Sequence, residues 1–193
     1  MATTKSATSA PAKPKPPVTD KAAASRSAKA KPGSKVGRKT ARAATRPVDA
    51  IKLLKDDHKE VKAFFKQYEN LEDDAEKQAL ADKICLALTV HAQIEEEIYY
   101  PAAREAIDDD DLLDEAEVEH ASAKQLIAEI QAMKAGDRLF DAKVTVLGEY
   151  IAHHVEEEES EMFPESRDSD LDLKGLGEQL AARKAELMAQ APK

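Results

Sequence analysis

A chain of 193 residues has the length of one ordinary domain, and its 38 Asp and Glu outnumber 29 Lys and Arg for a formal charge of −9. One cysteine excludes a disulfide framework and an all-cysteine zinc site, and no run approaches the roughly 18 apolar residues of a membrane span. No apolar signal-peptide core follows Met1, so the sequence reads as cytoplasmic.

The two signs of charge are segregated. Residues 1–46 hold twelve Lys or Arg against one acid, Asp20, a net of +11; the remaining 17 basic and 37 acidic residues give 47–193 a net of −20. The first segment is Ala, Lys, Pro, Ser and Thr with almost nothing to bury, and is expected to be a disordered basic tail. Its charge suits weak, sequence-independent contact with nucleic-acid phosphates or anionic lipid. It has no aromatic side chain to stack on bases, which leaves a solubilising extension or a transit peptide as alternatives.

From 47 to 193 the pattern is helical, with no tryptophan and polar breaks between amphipathic runs. A first helix is expected over Val48–Tyr68, after Pro47 and with Asp49 in its first turn. The break NLEDD precedes a second helix over Ala75–Ala103. The run Asp108–Asp111 turns the chain and caps a third helix that reaches Ala135, where Gly136 stops it. A fourth spans Leu139–Phe163 and ends at Pro164. The last, Leu173–Ala189, carries Leu176, Leu180 and Leu187 on one side. The expected fold is all-α: an antiparallel up-down-up-down four-helix bundle with an extra C-terminal helix.

All five histidines lie in these helices. At 100° per residue, His58 joins the stripe of Ile51, Leu54, Val61 and Phe65, and His91 and Glu95 join Leu80, Ile84, Ala87 and Ile98. His120 shares a face with Leu113, Ala116, Ala123 and Ile127; His154 and Glu158 share one with Val144, Leu147 and Ile151. His153 points about 100° away and is peripheral. In an antiparallel hairpin two residues meet at one level when their sequence midpoint lies in the loop. The midpoints of His58/His91, Glu95/His120 and His120/His154 all fall in the breaks. The halves also repeat: HAQIEEEIYYP and HHVEEEESEMFP each contain His-x3-Glu with a proline six residues after the Glu.

Four imidazoles and two carboxylates buried in one layer demand compensation. Hydrogen-bonded His–Glu pairs would supply it. So would metal: the donors exceed a four-ligand structural zinc site and suit two ions of the iron or manganese type, each taking two His, with Glu95 and Glu158 able to bridge. Such a count leaves coordination positions open for dioxygen, peroxide, nitric oxide or water.

The set His58, His91-x3-Glu95, His120, His154-x3-Glu158 resembles the HHE cation-binding domain of hemerythrin-like proteins, over about 48–190. The resemblance implies a non-haem di-iron centre, ahead of manganese or zinc, with the four histidines as terminal ligands and Glu95 and Glu158 as bridges. The oxygen-carrying hemerythrins have a His-x3-His pair in the third helix, where this chain has Lys124 after His120. Their last-helix carboxylate is an Asp one position further on. These departures point away from reversible oxygen carriage and towards sensing oxygen or a related ligand, in iron or oxidative and nitrosative stress handling. An enzyme decomposing peroxide or handling nitric oxide is the second expectation, and a non-redox scaffold held on nucleic acid through the tail the third. Glu117, three residues before His120, is expected on an exposed face, with a further metal ligand as the alternative; Glu96, Glu97, Glu156, Glu157 and Glu159 are expected on solvated faces, with one of these five tuning a ligand. Tyr99 and Tyr100 are read as end packing, with a tyrosine at the metal the alternative, and Cys85 as a small core residue. No nucleophile motif or phosphate-binding loop is present.

Overall fold

The computed structural model describes residues 49–191. The basic tail, and Val48 at the expected start of the first helix, lie outside the described residues. Asp49 caps α1 (Ala50–Tyr68), its carboxylate accepting from the Lys52 amide at 2.8 Å. Asp73 caps α2 (Asp74–Ile94) in the same way. This rod runs on through a five-residue π-turn, π1 (Glu95–Tyr99), into α3 (Tyr100–Arg104). Asp109 caps α4 (Asp110–Gln131), which ends four residues before the expected Ala135. Gly136 instead serves the connection, at φ +92°, where any Cβ would meet the Asp74 carboxylate at 2.9 Å.

The fourth rod corrects the sequence reading. It comprises α5 (Phe140–Glu157), a second π-turn π2 (Glu158–Met162) and α6 (Phe163–Asp168), so Pro164 does not stop it. In a regular helix proline removes one hydrogen bond and collides with the carbonyl four residues back. Here a widened turn precedes each proline: the Tyr100 amide donates to the Glu95 carbonyl and the Phe163 amide to that of Glu158, five residues back in both cases. Pro101 and Pro164 follow immediately, and the rods continue. A fifth rod, α7 (Leu173–Gln190), packs on α1, α2 and π1.

Buried side chains form two apolar clusters. One gathers Ile51, Leu54, Ile94, Tyr99, Leu113, Phe163 and Leu180; the other gathers Val61, Ile84, Leu88, Ile127, Phe140, Val144 and Leu147. In each bundle rod a histidine falls at the changeover from one cluster to the other, so a polar layer divides the core. Leu147 is fully buried on the far side of that layer from α7. Leu147→Ala is expected to lower unfolding free energy by about 2–5 kcal/mol, read by urea denaturation, while metal uptake stays intact.

Candidate metal centre

The layer contains the six side chains singled out by spacing: His58, His91, Glu95, His120, His154 and Glu158, none more than 7 % exposed. They meet as two imidazole pairs. His58 and His91 bring their Nε2 atoms to 3.1 Å, and so do His120 and His154. The carboxylates cross between pairs. Glu95 reaches His91 Nε2 at 3.1 Å and His120 Nε2 at 3.6 Å; Glu158 Oε2 reaches His58 Nε2 at 3.2 Å and His154 Nε2 at 3.7 Å.

Each imidazole turns its other nitrogen to an outer carboxylate. Nδ1 of His58 faces Glu159 at 3.1 Å, that of His120 faces Glu96 at 2.9 Å, and that of His154 faces Glu119 at 2.8 Å. His91 Nδ1 lies 3.5 Å from Asp57. A carboxylate at Nδ1 keeps the proton there and leaves the Nε2 lone pair free. Within each pair the two Nε2 atoms therefore face one another, an arrangement that a shared proton or a bound cation relieves. Both oxygens of Glu95 and Oε2 of Glu158 are buried without a hydrogen bond. The donor set thus fits a cation: inward imidazole nitrogens, orphaned carboxylate oxygens, and outer acids that fix each ring.

Protonation shows the same demand for positive charge. Burial would strip His91 of its proton, but the Glu95 charge and the Asp57 and Glu95 contacts outweigh it and raise the group to about 10. Burial likewise opposes His154, which Glu158 and Glu119 nonetheless raise to about 8. His120 is lowered by burial, with the His154 charge also acting against it. Glu158, despite complete burial, is held down at about 2 by His154 and His58.

Residues 49–166 match the sequence profile described as the Hemerythrin HHE cation binding domain. The chain belongs to that family. A crystal structure of a hemerythrin HHE cation binding domain-containing protein from Mycobacterium kansasii superposes with a TM-score of 0.64 at 25 % identity, covering 74 % of this chain and 88 % of that one. A protein of Nostoc sp. strain PCC 7120 named DNA nickase is 29 % identical over 117 residues, 61 % of this chain. The chain spans about a third of that relative's length.

In this hemerythrin-like bundle several residues take places the sequence reading did not give them. Tyr100 is no end packing: its hydroxyl donates to Glu158 Oε1 at 2.9 Å and lies 3.1 Å from His120 Nε2. Burial and the charge of Glu158 push its ionisation well above the ordinary value, so it stays a donor. The counterpart after π2 is Phe163, whose ring stacks on His58 at 5.7 Å between centroids. The two halves of the layer are chemically unequal. Tyr99 pairs instead with Ser166, at 2.8 Å.

Glu96 and Glu159 are not merely solvated faces, because each holds a histidine. Asp57 and Glu119 were missed. The signal was present: each of the four outer acids sits next in sequence to an inward residue, in the pairs Asp57/His58, Glu95/Glu96, Glu119/His120 and Glu158/Glu159. Each reaches across to the histidine of a neighbouring rod. Lys124, standing where the oxygen carriers have an imidazole, pairs with Glu96. Glu117 lies on an exposed face against Arg104 at 3.2 Å, and His153 is 65 % exposed, both as expected. Cys85 is a buried thiol pushed up to about 12 by burial, with the Asp82 charge adding to it.

An apolar void of about 20 Å³ adjoins the four imidazoles, walled by Val61, Leu88, Ala123, Ile127, Ile151 and Val155. That is room for roughly one water-sized molecule.

Proposed function

We propose that the chain is a non-haem di-iron protein that binds or senses dioxygen or a related small redox ligand, peroxide and nitric oxide included. The supporting observation is the double ring of donors: four Nε2 atoms and two crossing carboxylates inside, an acid on every Nδ1 outside. His58 and His91 would hold one ion, His120 and His154 the other, and Glu95 and Glu158 would bridge. Iron bound there supplies a ferrous–ferric couple and open positions for a small ligand.

The chain's own residues set the conditions. The outer acids fix the rings, so the site is preorganised before metal arrives. Tyr100 holds a hydrogen-bond donor beside Glu158 and the His120/His154 pair. The void has room beside the imidazoles for about one water-sized molecule. Lys124, tied to Glu96, leaves the second ion one imidazole short of the oxygen-carrier pattern, which favours sensing or turnover over carriage.

Anaerobic reconstitution with ferrous salt, metal analysis, and absorption spectra on admitting air test this reading. The expected result is about two irons per chain and new ligand-to-metal bands. Repeated consumption of added peroxide would make the site an enzyme rather than a sensor; a chain that takes up no iron overturns the reading.

A second reading, contact with nucleic acid through 1–46, is favoured by the charge of that segment and by the name of the Nostoc relative. DNA retention should fall steeply with salt and vanish when residues 1–46 are removed. Equal retention by the shortened chain would end it.

A further inference from the structure

The outer acids differ in what holds them. Glu159 is paired with Lys55 of α1 at 3.3 Å, and Glu96 with Lys124 of α4. Asp57 is paired with Lys184, which comes from α7, a helix beyond the 49–166 covered by the family profile. Asp57 is also the most enclosed of the four, with a side chain 11 % exposed against 26–31 % for the others. One oxygen, Oδ1, takes Lys184; the other, Oδ2, is buried without a hydrogen bond and faces the equally unpartnered Nδ1 of His91. Arg183, next along α7, grips Glu97 through two hydrogen bonds of 2.6 and 3.0 Å, and Glu97 touches no histidine of the layer.

We propose that α7 is a latch on the metal centre, with Lys184 as a positioning residue that holds Asp57 so its free oxygen orients the His91 ring, Nε2 inward. This rests on His91 being a metal ligand. A carboxylate this enclosed is costly without its cation and would swing towards solvent. His91 Nδ1 would then lose its acceptor, and the ring its fixed tautomer. Loss of such a partner typically weakens metal binding about 10–100-fold. The His120/His154 position, whose acids do not touch α7, should be spared.

The test is equilibrium titration of the full, metal-free chain with Fe²⁺ and with Co²⁺ against a competing chelator, with the Co²⁺ absorption spectrum as a second readout. Lys184→Met should shift one of two binding steps by about 10–100-fold and alter the Co²⁺ bands of that step only. Lys184→Arg should restore both, and Arg183→Met should bind as the unaltered chain does. Asp57→Asn, which keeps the shape, should reproduce the shift and carries the test if Lys184→Met does not fold. An unaltered chain with two binding steps and variants that match it overturn the latch alone. Equal weakening by Arg183→Met also overturns it, since α7 would then act by packing. An unaltered chain that takes up neither metal overturns the di-iron reading, and the latch with it.

Discussion

Glu95→Ala and Glu158→Ala are each expected to empty both metal positions, whereas loss of a single histidine should damage one. The reason is the crossing geometry. Glu95 touches His91 of one pair and His120 of the other; Glu158 touches His58 and His154. Deleting either carboxylate removes a donor and a negative charge from both positions at once. Outer-sphere losses already cost about 10–100-fold in affinity, and loss of a direct, shared donor should exceed the upper end of that range. Metal content after anaerobic ferrous reconstitution should fall from about two per chain to a small fraction, against roughly one in His91→Ala or His154→Ala. The apolar clusters on both sides of the layer are untouched, so the helical circular dichroism should persist. Two irons retained in Glu95→Ala would remove the bridging assignment.

Metal uptake at pH 7 should expel about two protons per chain. Without metal, His91 at about 10 and His154 at about 8 each keep a proton, one in each imidazole pair. Each ion must displace the proton of its own pair. Affinity should therefore climb about tenfold per pH unit at each position, up to about 10 where His91 is the ligand and up to about 8 where His154 is, and level off beyond. Calorimetry in buffers of different ionisation enthalpy counts the protons, and a count near zero would contradict the pairing.

The metal-free fold has the opposite slope at alkaline pH. His91 and His154 are raised from an unfolded value of 6.5, so their contribution is complete below 6.5 and is lost as pH passes about 8 and then about 10. Glu158, depressed from 4.5, stabilises above 4.5 and fails as pH falls towards about 2. His120, lowered from 6.5, runs the other way and trims stability on the acid side. The melting temperature of chelator-treated protein should thus decline from pH 6.5 to 10.

Much of this was legible in the sequence because a helix is a regular object. Fixed rotation per residue placed His58, His91, His120 and His154 on inward faces, and hairpin symmetry placed them at one height; the Nε2 contacts at 3.1 Å agree. The reading went astray where regularity fails. Uniform rotation carries Ile98 into the stripe of His91, and Tyr100 reads first as end packing, with a place at the metal as the alternative. The turn over Glu95–Tyr99 holds an additional residue, which leaves Ile98 only partly buried and brings Tyr100 to Glu158. Asp57 and Glu119 escaped for another reason. On a single helix Glu119 belongs to a charged, solvated side, and only the neighbouring rod supplies the histidine that gives it a purpose.

The widened turns make the two proline-bearing rods sensitive to residue count in a way substitutions would not reveal. Losing one residue between Glu96 and Tyr99 would restore an ordinary turn, and the ring of Pro101 would then be driven into the backbone behind it. For this protein, then, the spacing from Glu95 to Pro101, and from Glu158 to Pro164, is a structural dimension as fixed as the identity of any ligand.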